Sequence, residues 1–94
     1  MSVYEQFVWL ECEILDEFSN KMNVEVKLQD GATAELVVFS NLVERLKGKK
    51  GRMKVEPVGE QKDLYSVRLP KPTLEYGHNI TVNTSQITLP WDAS

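Results

Sequence analysis

Ninety-four residues hold one cysteine and one histidine, and that scarcity excludes more chemistry than any motif in the chain includes. Cys12 has no second thiol with which to close a disulfide inside the chain, and its place among alternating apolar residues reads as a small core side chain. One Cys and one His fall short of the four nitrogen or sulfur ligands that a structural zinc site takes. His78 has only Glu75 near it in sequence and no nucleophile to activate, so it reads as a turn residue rather than a general base. Glu11 and Glu13 share one strand face, about 7 Å apart by strand rise, but nothing around them would hold either one protonated. No catalytic residue, metal or cofactor is expected.

Long apolar runs are lacking too. None is longer than the four residues of 36–39, against the roughly 20 residues that carry a helix across a bilayer. The opening MSVYEQFVWLECE has no cationic start, and acids interrupt its apolar residues, unlike a secretory leader. The expectation is a cytoplasmic protein without membrane contact.

Positive charge is scarce everywhere but in one place. The chain has 11 basic and 14 acidic residues, and six of the basic ones lie in 45–54, RLKGKKGRMK, which contains no acid. Outside that segment 5 basic residues face 14 acidic ones, a body of formal charge −9. Such a body disfavours the phosphate neutralisation on which sequence-independent nucleic-acid binding rests.

What is present is alternation. Val8, Leu10, Cys12 and Ile14 alternate with Trp9, Glu11 and Glu13, which is the period of a strand that could begin as early as Val3. Val24, Val26 and Leu28 give a second strand, closed by Asp30 and Gly31, and 32–39 returns as a third. Ser40 and Asn41, followed by Leu42, Val43 and Leu46, fit a short helix over 41–47 that Gly48 would end. Met53, Val55 and Pro57 mark a fourth strand that reaches an edge at the proline. A polar turn over 59–63 follows, then a fifth strand with Tyr65, Val67 and Leu69. Pro70 and Pro72 stop it, a loop covers 71–79, and Ile80 and Val82 begin a sixth strand.

There is also an internal echo. Val26-Lys27-Leu28 precedes Ser40-Asn41-Leu42 by 14 positions, and Val67-Arg68-Leu69 precedes Ser85-Gln86-Ile87 by 18, so each half reads as three strands and a Ser-polar-apolar step. Chains of this length form one core. The fold class expected is all-β, a small closed or partly open barrel of five to six strands, OB-like or SH3-like, with one short helix after the third strand. Its single domain would cover 1–89, with 90–94 as a tail.

The candidate partner-binding residues are Arg45, Lys47, Lys49, Lys50, Arg52 and Lys54, together with Trp9 and Trp91. Gly48 and Gly51 among the cations would allow backbone N–H groups to converge as an anion nest. Trp9 reads as an exposed or interfacial indole, and Trp91 either folds back on the barrel or is offered to a partner. These features describe a non-enzymatic protein-interaction module that binds a protein partner or its own copy, a homo-oligomer, with opposed charges orienting the contact. The alternative is OB-like binding of single-stranded nucleic acid, with the cations on phosphates and a surface aromatic stacking on bases.

Overall fold

The computed structural model describes residues 7–92, so a strand start at Val3 lies outside the described residues. The fold is all-β: one curled antiparallel sheet that makes a half-barrel. Its strands are β1 (Val8–Phe18), β2 (Lys21–Lys27), β3 (Thr33–Phe39), β4 (Val43–Lys47), β5 (Lys50–Gln61), β6 (Leu64–Thr73), β7 (Gly77–Asn83) and β8 (Ile87–Thr88). They run in the order β3-β2-β1-β5-β6-β7, with β4 added to β5 and β8 to β1. The alternation seen in sequence sets the inner face. Val8, Leu10, Cys12 and Ile14 point inward beside Val24, Val26, Leu36, Val38, Met53, Val55, Val67, Leu69, Ile80 and Val82. No helix among the described residues is long and apolar enough to cross a membrane.

The expected helix over 41–47 does not form. Ser40–Leu42 makes a single 3-10 turn, and Val43–Lys47 pairs with β5 instead. A two-turn helix would need Leu42 and Leu46 docked to persist, whereas Leu46 is exposed and β-branched Val43 gains a ladder place opposite buried Met53. The polar turn expected over 59–63 shrinks to Lys62 and Asp63, because β5 continues to Gln61. The loop expected over 71–79 is also shorter. β6 runs through both prolines to Thr73, and only Leu74, Glu75 and Tyr76 turn. Pro70 and Pro72 fall where the β6–β7 register breaks, between Arg68 and Thr73, so the ladder there asks for no N–H. Pro57 lies just past the last β1–β5 pair, Val8–Val55, which is the edge position its sequence context implied. These differences raise the strand count among the described residues from the expected five or six to eight.

The echo between the halves is real in architecture but not in the residues that suggested it. In the β1–β2 hairpin, Phe18 pairs with Lys21, Glu17 with Met22, Asp16 with Asn23 and Ile14 with Val24, leaving Leu15 as a bulge. In the β5–β6 hairpin, Gln61 pairs with Leu64, Glu60 with Tyr65, Gly59 with Ser66 and Pro57 with Val67, leaving Val58 as a bulge. Every position matches 43 residues further along. The turn residues with positive φ, Ser19 and Lys62, match as well. From β3 onward the step is 44, so the 3-10 turn Ser40–Leu42 answers to Thr84–Gln86, and β4 answers to β8. The N–H of Ser40 donates to Asn20 O at 2.8 Å, and the N–H of Thr84 to Asp63 O at 2.8 Å. The halves therefore differ by one residue in a turn, not by four, and Ser40 matches Thr84 rather than Ser85. The pair Leu10–Met53 maps onto itself and marks a pseudo-two-fold axis through the centre of the sheet.

Each half lends its short strand to the other. On the side of β1 away from β5, Trp9 and Leu10 pair with β8 while Glu13 and the residues after it pair with β2. Glu11 and Cys12 thus sit at a fork where two strands diverge. The matching fork on β5 lies at Lys54 and Val55, between β4 and β6.

Candidate interaction site

The fork at Glu11 and Cys12 opens into a cleft of about 610 Å³. Glu11, Glu13 and Glu25 contribute carboxylates to its lining, and Lys27, Lys49 and Lys50 contribute ammonium groups. Gln86 ties its two sides: its Oε1 accepts from the Asn83 N–H at 3.1 Å, and its Nε2 donates to Lys27 O at 2.8 Å. Cys12 lines the cleft from the core side, and burial, aided by nearby Glu11, pushes its thiol up to about 12. A thiol held neutral in this way is a packing group, not a nucleophile.

The basic segment does not stay together as one patch. Arg45 bridges to Glu17 and donates to Gly48 O, so its charge is spent tying β4 to the end of β1. Arg52 bridges to Glu44, its cross-strand neighbour, with Nε at 2.7 Å from the carboxylate, and its guanidinium lies 4.7 Å from the Trp9 ring centre. Lys54 lies 4.9 Å from the Phe7 ring centre and 5.7 Å from that of Trp9. Phe7 meets Trp9 edge-on at 5.4 Å. Trp9 is thus the floor of a cation-aromatic stack rather than an open indole. What remains is the β4–β5 hairpin tip. There Lys47, Lys49 and Lys50 are exposed and have no carboxylate within 4 Å among the described residues.

The two glycines do not make an anion nest. Gly48, at φ 58, supplies the tight turn, but Gly51 is a buried strand residue. A Cβ on Gly51 would stand 3.0 Å from the Glu44 carbonyl and 3.1 Å from Ile14 Cδ1, so glycine there lets β4 and Ile14 approach β5 closely. Trp91 lies in the 3-10 turn Pro90–Asp92 and is 76 % exposed, so it does not fold back on the barrel. Trp91 matches Lys47 across the pseudo-dyad and does not line the cleft. His78 belongs to β7, not to a loop, and its Nδ1 is 3.1 Å from Leu69 O.

A second charged feature escaped the sequence reading. Glu13 stands directly opposite Glu25, and Glu25 directly opposite Glu35, so three carboxylates form a row across β1, β2 and β3. Like charges placed this way destabilise a sheet. The matching row on the other half is Glu56, Arg68 and Asn79, in which Glu56 faces Arg68 and the charges compensate. Asn23 Nδ2, 3.4 Å from the Glu35 carboxylate, is the one side-chain donor that attends the acidic row among the described residues. Among the described residues, no three His, Cys, Asp or Glu side chains gather so as to hold a metal ion.

No family model, curated protein or solved structure matches this chain.

Proposed function

We propose that this chain is a non-enzymatic protein-interaction module that docks a protein partner or its own copy through two charged surfaces of opposite sign. One is the lysine tip, Lys47, Lys49 and Lys50, and the other is the carboxylate row, Glu13, Glu25 and Glu35. The observation that carries the reading is the row, in which only Glu13 has a cation, Lys50, opposite it, while Glu25 and Glu35 face carboxylates and form no ion pair among the described residues. The fold tolerates a compensated version at the matching place in its other half, so the repulsion answers to something outside the sheet. A partner with lysine or arginine side chains relieves it. The tip and the row meet at Glu13 and Lys50, which are cross-strand neighbours at the cleft. A partner segment carrying a basic stretch and then an acidic one is therefore held in one orientation. The half-barrel has OB-like or SH3-like size, and the cleft is its recognition groove.

Sedimentation velocity at low and high salt, with NMR titration of oligo-lysine and oligo-glutamate peptides, tests the reading. Salt-sensitive binding is expected, with amide shifts at the row for the basic peptide and at the tip for the acidic one. Absence of both self-association and peptide binding at low salt overturns it. A single-stranded oligonucleotide that binds the same lysines more tightly than the acidic peptide would favour nucleic-acid binding instead. Of the two aromatics that could stack on bases in that alternative, Trp9 and Tyr65, Trp9 already carries Arg52 on its ring.

A further inference from the structure

The pseudo-dyad supplies an internal control for surface residues, because each outward position is seen twice on the same backbone. On the outer face of the first half, Phe18, Val37 and Phe39 are exposed apolar side chains. Their counterparts in the second half are Gln61, Thr81 and Asn83, so the fold itself asks for no apolar residue at these places. The exchange does not run one way throughout, since Lys21 answers to Leu64.

The surrounding residues extend this face into a shallow site. Val37 shares a cleft of about 380 Å³ with Lys71, Pro72 and Leu74, and Leu74 is 97 % exposed at the tip of the β6–β7 hairpin. Lys71 Nζ is 5.3 Å and Lys21 Nζ 5.8 Å from the Phe39 ring centre. The seam beside this face also lacks a hydrogen bond that its counterpart has. In the second half the Gln29 N–H donates to Thr81 O at 3.1 Å, closing the barrel between the β2–β3 turn and β7. The matching donor in the first half would be residue 72, a proline without an N–H, and the matching acceptor is Val37.

From these observations we infer that the outer face of β3, from Phe39 to the Leu74 tip, is a docking site for an acidic, apolar polypeptide segment of a partner protein. The apolar side chains of the segment cover Val37, Phe39 and Leu74, and its carboxylates meet Lys21 and Lys71. Charge complementarity selects this occupant: two cations, Lys21 and Lys71, flank Phe39, against one carboxylate, Glu35, which lines the cleft together with Val37, Lys71 and Leu74. The site is separate from the lysine tip and shares only Glu35 with the carboxylate row, so it does not depend on the function proposed for those surfaces.

The test uses the full chain, a short acetylated peptide in which Leu and Phe are flanked by Glu and Asp, and the same peptide with Lys in place of its acids. NMR titration is expected to shift the amides of Phe39, Lys71 and Leu74 with the acidic peptide and not with the basic one, whose shifts should centre on Glu13 and Glu25. The double variant Val37→Thr, Phe39→Asn installs the residues of the second half, so it is expected to keep its thermal midpoint. It should lose affinity by at least about tenfold, as removal of central anchors does. Lys21→Glu with Lys71→Glu gives a second readout on the same site: the acidic peptide should be lost and the basic one gained. Acidic-peptide binding that survives the Val37→Thr, Phe39→Asn exchange overturns the proposal. So does a wild-type dimer that this exchange turns into monomer, since the occupant is then a second copy of the chain.

Discussion

At the fork beside β1 the lining includes Lys27, Lys50, Asn83 and Gln86, while the matching places beside β5 hold Pro70, Phe7, Phe39 and Leu42. On one side the outward positions of the sheet read Glu13, Glu25 and Glu35, and on the other Glu56, Arg68 and Asn79. Backbone register, bulges and turn conformations agree between the β1–β2 and β5–β6 hairpins, and the β2–β3 register agrees with β6–β7 as far as Arg68, so differences at these places cannot be charged to the needs of folding. They separate two kinds of residue that a single structure usually leaves mixed. Most inward positions stay apolar in both halves because both close the same core, with Ala34 answering to His78 and Leu28 to Lys71 as exceptions at the β6–β7 end. Outward positions vary with whatever each half must meet outside the sheet. The first half carries the acidic row beside exposed Phe18, Val37 and Phe39, whereas the exposed apolar side chains of the second half, Val58, Leu74, Tyr76 and Trp91, lie at a bulge, a hairpin tip and the last 3-10 turn.

The sharpest way to break the comparison is at its axis. Leu10 and Met53 are both 0 % exposed and pair with each other, so Leu10→Ala and Met53→Ala should each cost about 3 kcal/mol in chemical denaturation. Costs within about 1 kcal/mol of each other support equivalent packing, and a much larger gap would mean that one half carries the core alone.

A smaller effect separates the two kinds of cation in the basic segment. Arg52, whose side chain is only 15 % exposed, joins Glu44 to Trp9, and Arg52→Ala should cost about 1–2 kcal/mol. Lys49→Ala at the tip should stay within about 0.5 kcal/mol of wild type. Equal costs would undo the division between structural cations and those left for a partner.

Alkaline stability compares Cys12 with its counterpart Val55. Burial raises the folded thiol from 9.0 to about 12, so between those values the folded chain keeps a proton that the unfolded chain releases. Stability is therefore full below pH 9 and falls as pH rises toward 12. The Cys12 share should reach about 1 kcal/mol near pH 10. Tyr65, raised by burial and by Glu60, acts in the same direction from about 10 upward. Cys12→Val should flatten the first part of this decline, and thermal midpoints across about pH 7–11 would show it.

The smallest effect lies at the two seams. Gln29→Pro removes the bond to Thr81 and should cost about 1 kcal/mol, opening the closed seam to resemble the other. Pro72→Gln adds a donor for Val37 but gives up the proline's restraint on the unfolded chain, so its net change should be near zero. Slow amide exchange at position 72 of that variant would reveal the added bond even without a change in midpoint.

Much of this molecule was legible before its coordinates. The inward residues of β1, β2, β5, β6 and β7 follow from period-two alternation, whereas the Ser-centred steps that suggested a repeat were aligned one residue off, Ser40 answering to Thr84 and not to Ser85. The turns were less legible. Pro70, Pro72, Gly59 and the Ser40-Asn41 pair all carry strong local signals for breaks or caps, yet three of those stretches are strand. There the ladder to a neighbouring strand, or a break in it at the prolines, overruled local preference.

The alternation of apolar and polar side chains determined by itself that the chain would be β and which residues would be inside, because facing is a property of each strand alone. The tertiary structure decided which charges are neighbours. Arg45 finds Glu17 at a distance of 28 residues, Arg52 finds Glu44 and Trp9, and Glu13, Glu25 and Glu35 fall into one row. These pairings depend on register between distant strands, where a shift of a single residue would turn every side chain to the other face.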